Sequence, residues 1–136
     1  MFKKLFFVML GMMMLSSCTA LEELKAKDEQ NKLDAQNVQI CNTDKECKLA
    51  MSKAYAWVQK NCDMKVQIFN EFSIETFNVP SLKSSMVSCS VVKSANADGS
   101  YSLVLTSPCP HGGCLPEYWR QASFNREIQA VLPKGE

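Results

Sequence analysis

The sequence predicts an α+β fold: a two-layer sandwich with an N-terminal helix, a four-stranded antiparallel sheet and a C-terminal helix, stapled by disulfides. Three observations carry this expectation. Apolar residues recur at helical spacing over 44–61 and again near the C-terminus. Between them, four short segments alternate apolar and polar residues with the period of two that marks a half-buried strand. Six cysteines fall within residues 41–136, a density that suits a small exported domain held by cross-links. A run of strands flanked by helices, without strict strand–helix alternation, gives α+β over parallel α/β.

The first helix of the domain has a defined start. Thr43-Asp44-Lys45-Glu46 fits a capping box, in which the Thr43 hydroxyl and the Glu46 carboxylate satisfy free amides reciprocally. Cys47, Ala50, Met51, Ala54, Trp57 and Val58 then form one apolar face, with Lys45, Lys48, Ser52 and Gln59 on the other side, up to Asn61. Trp57 on this face is expected in the core. Residues 64–69 and 72–77 alternate as two strands joined by Asn70-Glu71, a hairpin turn without glycine. Pro80 and the serines up to Ser85 read as a loop. Strands follow at 86–93 and 101–106, joined through Asp98-Gly99, which favours a tight reversal. Pro116 suits the first turn of a helix, and Phe124, Ile128, Val131 and Leu132 supply its apolar face. Ser123 offers an alternative N-cap that would split this segment in two. Pro133 and Gly135 end it.

The N-terminal region has a different character. In MFKKLFFVMLGMMMLSSC, Lys3 and Lys4 precede an apolar run over 5–15, shorter than the roughly 20 residues a spanning helix needs. The run ends in Leu15-Ser16-Ser17-Cys18, which resembles the lipobox of bacterial lipoproteins; the likeness covers residues 1–20. The resemblance implies that residues 1–17 are a signal peptide, that the Cys18 thiol receives diacylglycerol, and that the new N-terminus is acylated, with palmitate-type chains. Two or more chains hold a protein stably on a membrane where one chain holds it only marginally. Thr19, in place of the aspartate that favours inner-membrane retention in that class, implies the outer membrane of a Gram-negative envelope. The domain would then face the periplasm or the cell surface.

Residues 18–40 read as a tether. From 19 to 40 there is no Pro, Gly or Cys, and eight of the 18 residues 21–38 are charged. Leu21, Leu24, Leu33 and Val38 are too sparse for a continuous apolar stripe, so a solvated, transiently helical segment is expected. The sharper alternative is a helix that docks on a partner through Leu21, Leu24 and Leu33. The folded domain is expected at 41–136. Charge excludes one large class of partner. The chain has 15 Lys+Arg against 14 Asp+Glu, and loss of Lys3 and Lys4 with the signal leaves 13 against 14. Nucleic-acid binding needs a clustered basic excess to displace phosphate counterions.

Cys41, Cys47, Cys62, Cys89, Cys109 and Cys114 allow 15 pairings. If 44–61 is one helix, Cys47 and Cys62 lie about 22 Å apart, beyond the roughly 7 Å a bridge tolerates, and Cys41–Cys62 fails likewise. Cys41–Cys47, Cys62–Cys89 and Cys109–Cys114 is the simplest set that remains, and the connectivity stays open. Cys109-Pro110-His111-Gly112-Gly113-Cys114 begins like the Cys-Pro-His-Cys of periplasmic disulfide oxidoreductases, but two glycines separate His111 from the second thiol. That insertion removes the helix-N-terminal thiolate on which such chemistry depends. Zinc on Cys109, His111 and Cys114 would lack a fourth ligand, as His111 is the only histidine. A disulfide-closed loop with a Gly-Gly apex is therefore expected, without metal or cofactor. No nucleophile–base pair or phosphate-cradling loop is present in the sequence, and Glu71 with Glu75 reads as a solvated strand face. The expected protein is a non-enzymatic outer-membrane lipoprotein presenting a binding module to a periplasmic protein. The alternative is an inhibitor or immunity lipoprotein directed at a toxin or cell-wall hydrolase. In either case His111, Gly112, Gly113, Tyr118 and Trp119 form the candidate binding loop.

Overall fold

The computed structural model describes the backbone of residues 2–133 and the side chains of 19–133. The lipobox, Cys18 included, lies outside the residues with described side chains. Two compact units divide the chain, residues 1–30 and 31–136. Helix α1 runs Phe2–Gln36 and is followed by β1 (Gln39–Cys41), α2 (Asp44–Asn61), β2 (Val66–Phe69), β3 (Ser73–Thr76), β4 (Ser90–Ala95), β5 (Tyr101–Thr106) and α3 (Glu117–Gln129). The strands form one antiparallel sheet in the order β1-β5-β4-β3-β2.

The fold is α+β, and the sheet has five strands where the sequence predicts four. The additional strand is β1, with Gln39 opposite Leu103 and Cys41 opposite Tyr101. A three-residue edge strand has too few positions to display a period, and its partner lies some sixty residues downstream. Residues 31–40, taken from sequence as part of the tether, thus carry the end of α1 and most of an edge strand of the sheet.

Helix α2 starts as its sequence dictates. Thr43 Oγ1 accepts from the Glu46 amide at 3.2 Å, and Glu46 Oε2 accepts from the Thr43 and Asn42 amides at 3.3 and 2.8 Å. Its buried residues are Cys47, Ala50, Met51, Ala54, Trp57 and Val58. They pack with α3 on the sheet face that carries Cys41, Ile74, Val91, Leu103 and Leu105. The other face presents Val92 and Val104, register partners that are both exposed, among serines. Helix α3 is continuous through Ser123, which serves the helix pair and caps nothing. Ser123 Oγ accepts from Trp57 Nε1 at 3.2 Å, and the Trp57 ring meets Phe124 edge-on at 5.4 Å. Val131 and Leu132 fall beyond the helix and are half-buried.

The hairpin between β2 and β3 turns without glycine because Asn70 Oδ1 accepts from the Phe72 and Ser73 amides at 2.8 and 2.9 Å. Strand β4 begins at Ser90, not at Met86, because the residues before it are committed elsewhere. Val87 exchanges bonds with Asp63, and Cys89 with Thr76. The bridges are Cys41–Cys47, Cys62–Cys89 and Cys109–Cys114, closing separations of 6, 27 and 5 residues.

Within the second unit, the end of α1 is capped from α3. The last carbonyls of a helix have no partner inside it. Here Asn125, 2% exposed, donates Nδ2 to the Asp34 and Ala35 carbonyls at 2.8 and 3.3 Å. Gln121 Nε2 donates to Asn125 Oδ1 at 2.9 Å and so fixes the orientation of the amide. Arg126 adds a cation at the negative end of the helix, with Nη1 2.6 Å from Asp34 Oδ2 and 3.0 Å from Asn31 Oδ1.

Two outcomes follow for stability. Loop-closure entropy predicts that removing Cys62–Cys89 as a double alanine variant costs about 3.5 kcal/mol, against about 2 kcal/mol for Cys109–Cys114. Urea unfolding of the two variants should reproduce that order. Asn125→Leu strips the Asp34 and Ala35 carbonyls of their donor and should cost about 1–3 kcal/mol. Amide exchange should then speed up across 32–36 while the α2 amides keep their protection.

Candidate functional site

The segment between β5 and α3 is fixed at both ends. Burial draws the Arg120 guanidinium below the ordinary arginine pKa, while Glu117 and Asp63 oppose the shift. Arginine stays protonated in proteins, so a guanidinium drawn out of water needs acceptors. Arg120 finds three: Nε donates to Ser107 Oγ at 3.0 Å, Nη1 to the Leu115 carbonyl, and Nη2 to the Ser107 carbonyl. Glu117 Oε1 accepts from the Ser107 amide at 3.2 Å. Both stems of the 109–114 loop are thereby pinned to the first turns of α3.

Inside those stems the Cys109–Cys114 bridge closes a turn in which the Gly112 amide donates to the Cys109 carbonyl at 3.3 Å. Gly112 and Gly113 both sit at φ +78°, the left-handed region in which a Cβ is strained, so the inserted pair shapes the apex. His111 is exposed there. The Cys114 sulfur lies 3.0 Å from the Ser85 carbonyl oxygen, a contact without a proton because a bridged sulfur carries none. It seats the loop on the serine-rich segment before β4.

Tyr118 and Trp119 are both half-buried at the start of α3, but they serve different surroundings. Lys32 of α1 stands 5.9 Å from the centre of the Tyr118 ring. Trp119 lines a cleft of about 400 Å³ together with Cys114 and Leu115. The structure therefore brings Trp119 and one end of the loop together, while His111 and Tyr118 lie outside the cleft lining. Trp57 and Ser123 also line the cleft, with Asn61, Asp63, Ser85 and Val87 contributed from the end of α2 and the segment before β4. Arg120 and Arg126 complete it from α3. None of these last six was singled out by sequence; Asp63, Val87, Ser85 and Arg126 draw their meaning from neighbours far along the chain. The Asp63 amide, for example, donates to the Val87 carbonyl at 2.9 Å, and Asp63 Oδ2 accepts from the Val87 amide at 2.7 Å.

Among the described residues no group of three His, Cys, Asp or Glu side chains is placed to hold a metal ion. Nor is any described helix long and apolar enough to cross a membrane. No protein-family model matches the chain, and no curated protein matches it.

Arg120→Met should cost about 2–3 kcal/mol, since it leaves the buried Ser107 carbonyl and the Leu115 carbonyl without their charged donor. Thermal unfolding checks the size, and limited proteolysis should move its first cut into 107–116. His111→Ala, at an exposed apex, should change stability by no more than about 0.5 kcal/mol in the same assay.

Proposed function

We propose that the chain is a non-enzymatic lipoprotein of the outer membrane, held by acyl chains on Cys18, that presents its disulfide-stapled domain to a protein of the envelope. The observation that carries this reading is Leu15-Ser16-Ser17-Cys18 at the end of an 11-residue apolar run behind Lys3 and Lys4. The bridges support it, because disulfides persist in oxidising compartments such as the periplasm. In this reading residues 18–30 connect the lipid to the domain, and the 109–114 loop is the contact element. An exposed apex on stems that cannot move loses little conformational entropy when a partner closes on it.

That same rigidity favours a second reading, an inhibitor or immunity protein whose loop enters a toxin or a cell-wall hydrolase. Aromatic and pre-organised elements make effective anchors at such interfaces.

Cys18→Ala should abolish incorporation of labelled palmitate and leave a precursor that still carries residues 1–17. Normal outer-membrane fractionation of that variant would remove the lipobox reading. A photo-crosslinking residue at position 111, in living cells, should give a discrete adduct that the same residue at position 104 does not. An adduct with a resident envelope protein supports the first reading, and one with a toxin or hydrolase the second. Equal labelling from both positions removes the loop as the contact element.

A further inference from the structure

We infer that the cleft beside the loop is a binding site for a neutral oligosaccharide, an assignment that goes beyond the protein-partner reading and does not depend on it. Its volume of about 400 Å³ lies at the small-ligand end of the roughly 300–1,000 Å³ typical of binding pockets. The apolar part of its lining is Trp119 and the exposed Leu115, with the buried Val87 behind them. The axial C–H face of a sugar ring is flat and apolar and stacks on such a wall, as aromatic side chains accept apolar faces generally.

Charge decides which class of ligand fits the polar side. Asp63 stands close enough to Arg120 to oppose the lowering of its pKa, and Arg126 completes the ionisable lining. Arg120 is committed to the Ser107 and Leu115 carbonyls, and Arg126 is paired with Asp34. A free anion would meet Asp63 beside the guanidinium groups, and a free cation would meet the guanidinium groups beside Asp63. A neutral ligand whose groups both donate and accept avoids both penalties, and hydroxyls are groups of that kind.

The remaining hydrogen-bonding capacity sits on side-chain tips. Asp63 uses Oδ2 on Val87, which leaves Oδ1, and Asn61 uses Nδ2 on the Trp57 carbonyl, which leaves its own oxygen. The Ser85 hydroxyl adds a group that donates and accepts. Recognition of an extended peptide would instead need an unpaired strand edge, since main-chain bonds give that mode its affinity. In this lining the Asp63 amide is already bonded to the Val87 carbonyl, and the Val87 amide to the Asp63 carboxylate.

The chain has two tryptophans, and both line the cleft, so intrinsic fluorescence reports its occupancy. The full chain, in a detergent without a sugar headgroup, is titrated with maltotetraose, cellotetraose and tetra-N-acetylchitotetraose. A galacturonic acid tetramer and a glucosamine tetramer serve as the acidic and basic counterparts. At least one neutral tetramer is expected to shift the emission saturably, with the charged counterparts about tenfold weaker or silent. Trp119→Ala removes part of the apolar wall, and Leu115→Glu brings a charge to an exposed position on the rim without altering the core. Each should weaken the neutral ligand about tenfold with unfolding temperature unchanged for Leu115→Glu. The assignment is overturned if no neutral tetramer shifts the emission, if a charged one binds as tightly, or if Leu115→Glu retains full affinity. None of these outcomes bears on Cys18 or on crosslinking from position 111.

Discussion

Between the end of α2 and the start of β4 the chain must leave a helix, make a hairpin and return to the same place, and one short join holds that return. Cys62 ends α2 and is bridged to Cys89. Next to the bridge, Asp63 and Val87 exchange two hydrogen bonds. Thr76 and Cys89 exchange two more: the Thr76 amide to the Cys89 carbonyl at 2.9 Å, and the Cys89 amide to Thr76 Oγ1 at 2.8 Å. Thr76 is 4% exposed and Cys89 4%, so these bonds are shielded from competing water, and an unmade one would leave a buried polar group at full cost. With the join in place, β3 and β4 pair in register and α2 lies over the inner face of the sheet. The same join brings Asp63 and Val87 together in the lining of the cleft. Core, sheet register and cleft share a single constraint.

The other end of the cleft is organised by a charge. A hydrophobic side chain at position 120 would leave the buried Ser107 carbonyl to find another donor where there is little water. The guanidinium satisfies it together with the Leu115 carbonyl, and its fork geometry fixes the distance between the two stems of the 109–114 loop. The neighbouring disulfide closes only a five-residue separation. It removes less entropy from the unfolded chain than Cys62–Cys89 does, and it also fixes the local shape. Stem spacing from Arg120 and apex shape from Cys109–Cys114 are separate contributions to one rigid loop.

How far the sequence discloses this structure depends on how local each cause is. Helix α2 is legible residue by residue, from the Thr43–Glu46 cap to the six buried positions, because cap and apolar face both lie within the helix. The three bridges belong to the set that helix geometry leaves simplest, since a straight helix keeps its two ends apart. Strand β1 is illegible because Gln39, Ile40 and Cys41 acquire strand character only from β5. Strand β4 starts later than its alternation suggests because Val87 and Cys89 are bonded to Asp63 and Thr76. Ser123, which could read as a cap, is taken by the Trp57 indole. The cleft is the least legible feature of all. Its residues come from α2, the segment before β4, the 109–114 loop and α3, and no window of sequence contains more than a few of them.

Asn125 shows how a buried polar residue can mark a junction. An asparagine in the middle of an amphipathic helix weakens that helix and gains nothing from burial unless both ends of its amide are satisfied. Here Gln121 takes the oxygen and the last carbonyls of α1 take the nitrogen, so the residue makes sense only with 31–36 in place. A leucine at 125 would favour α3 alone. The amide favours α3 with the α1 turn docked, and it selects one rotation of that turn, because only the Asp34 and Ala35 carbonyls are presented to it. Arg126, one position on, makes the same selection through charge, pairing with Asp34 at the end of the helix where a cation is stabilised. The docked turn therefore depends on directional bonds from two adjacent residues, while Leu33 in the same turn stays largely exposed.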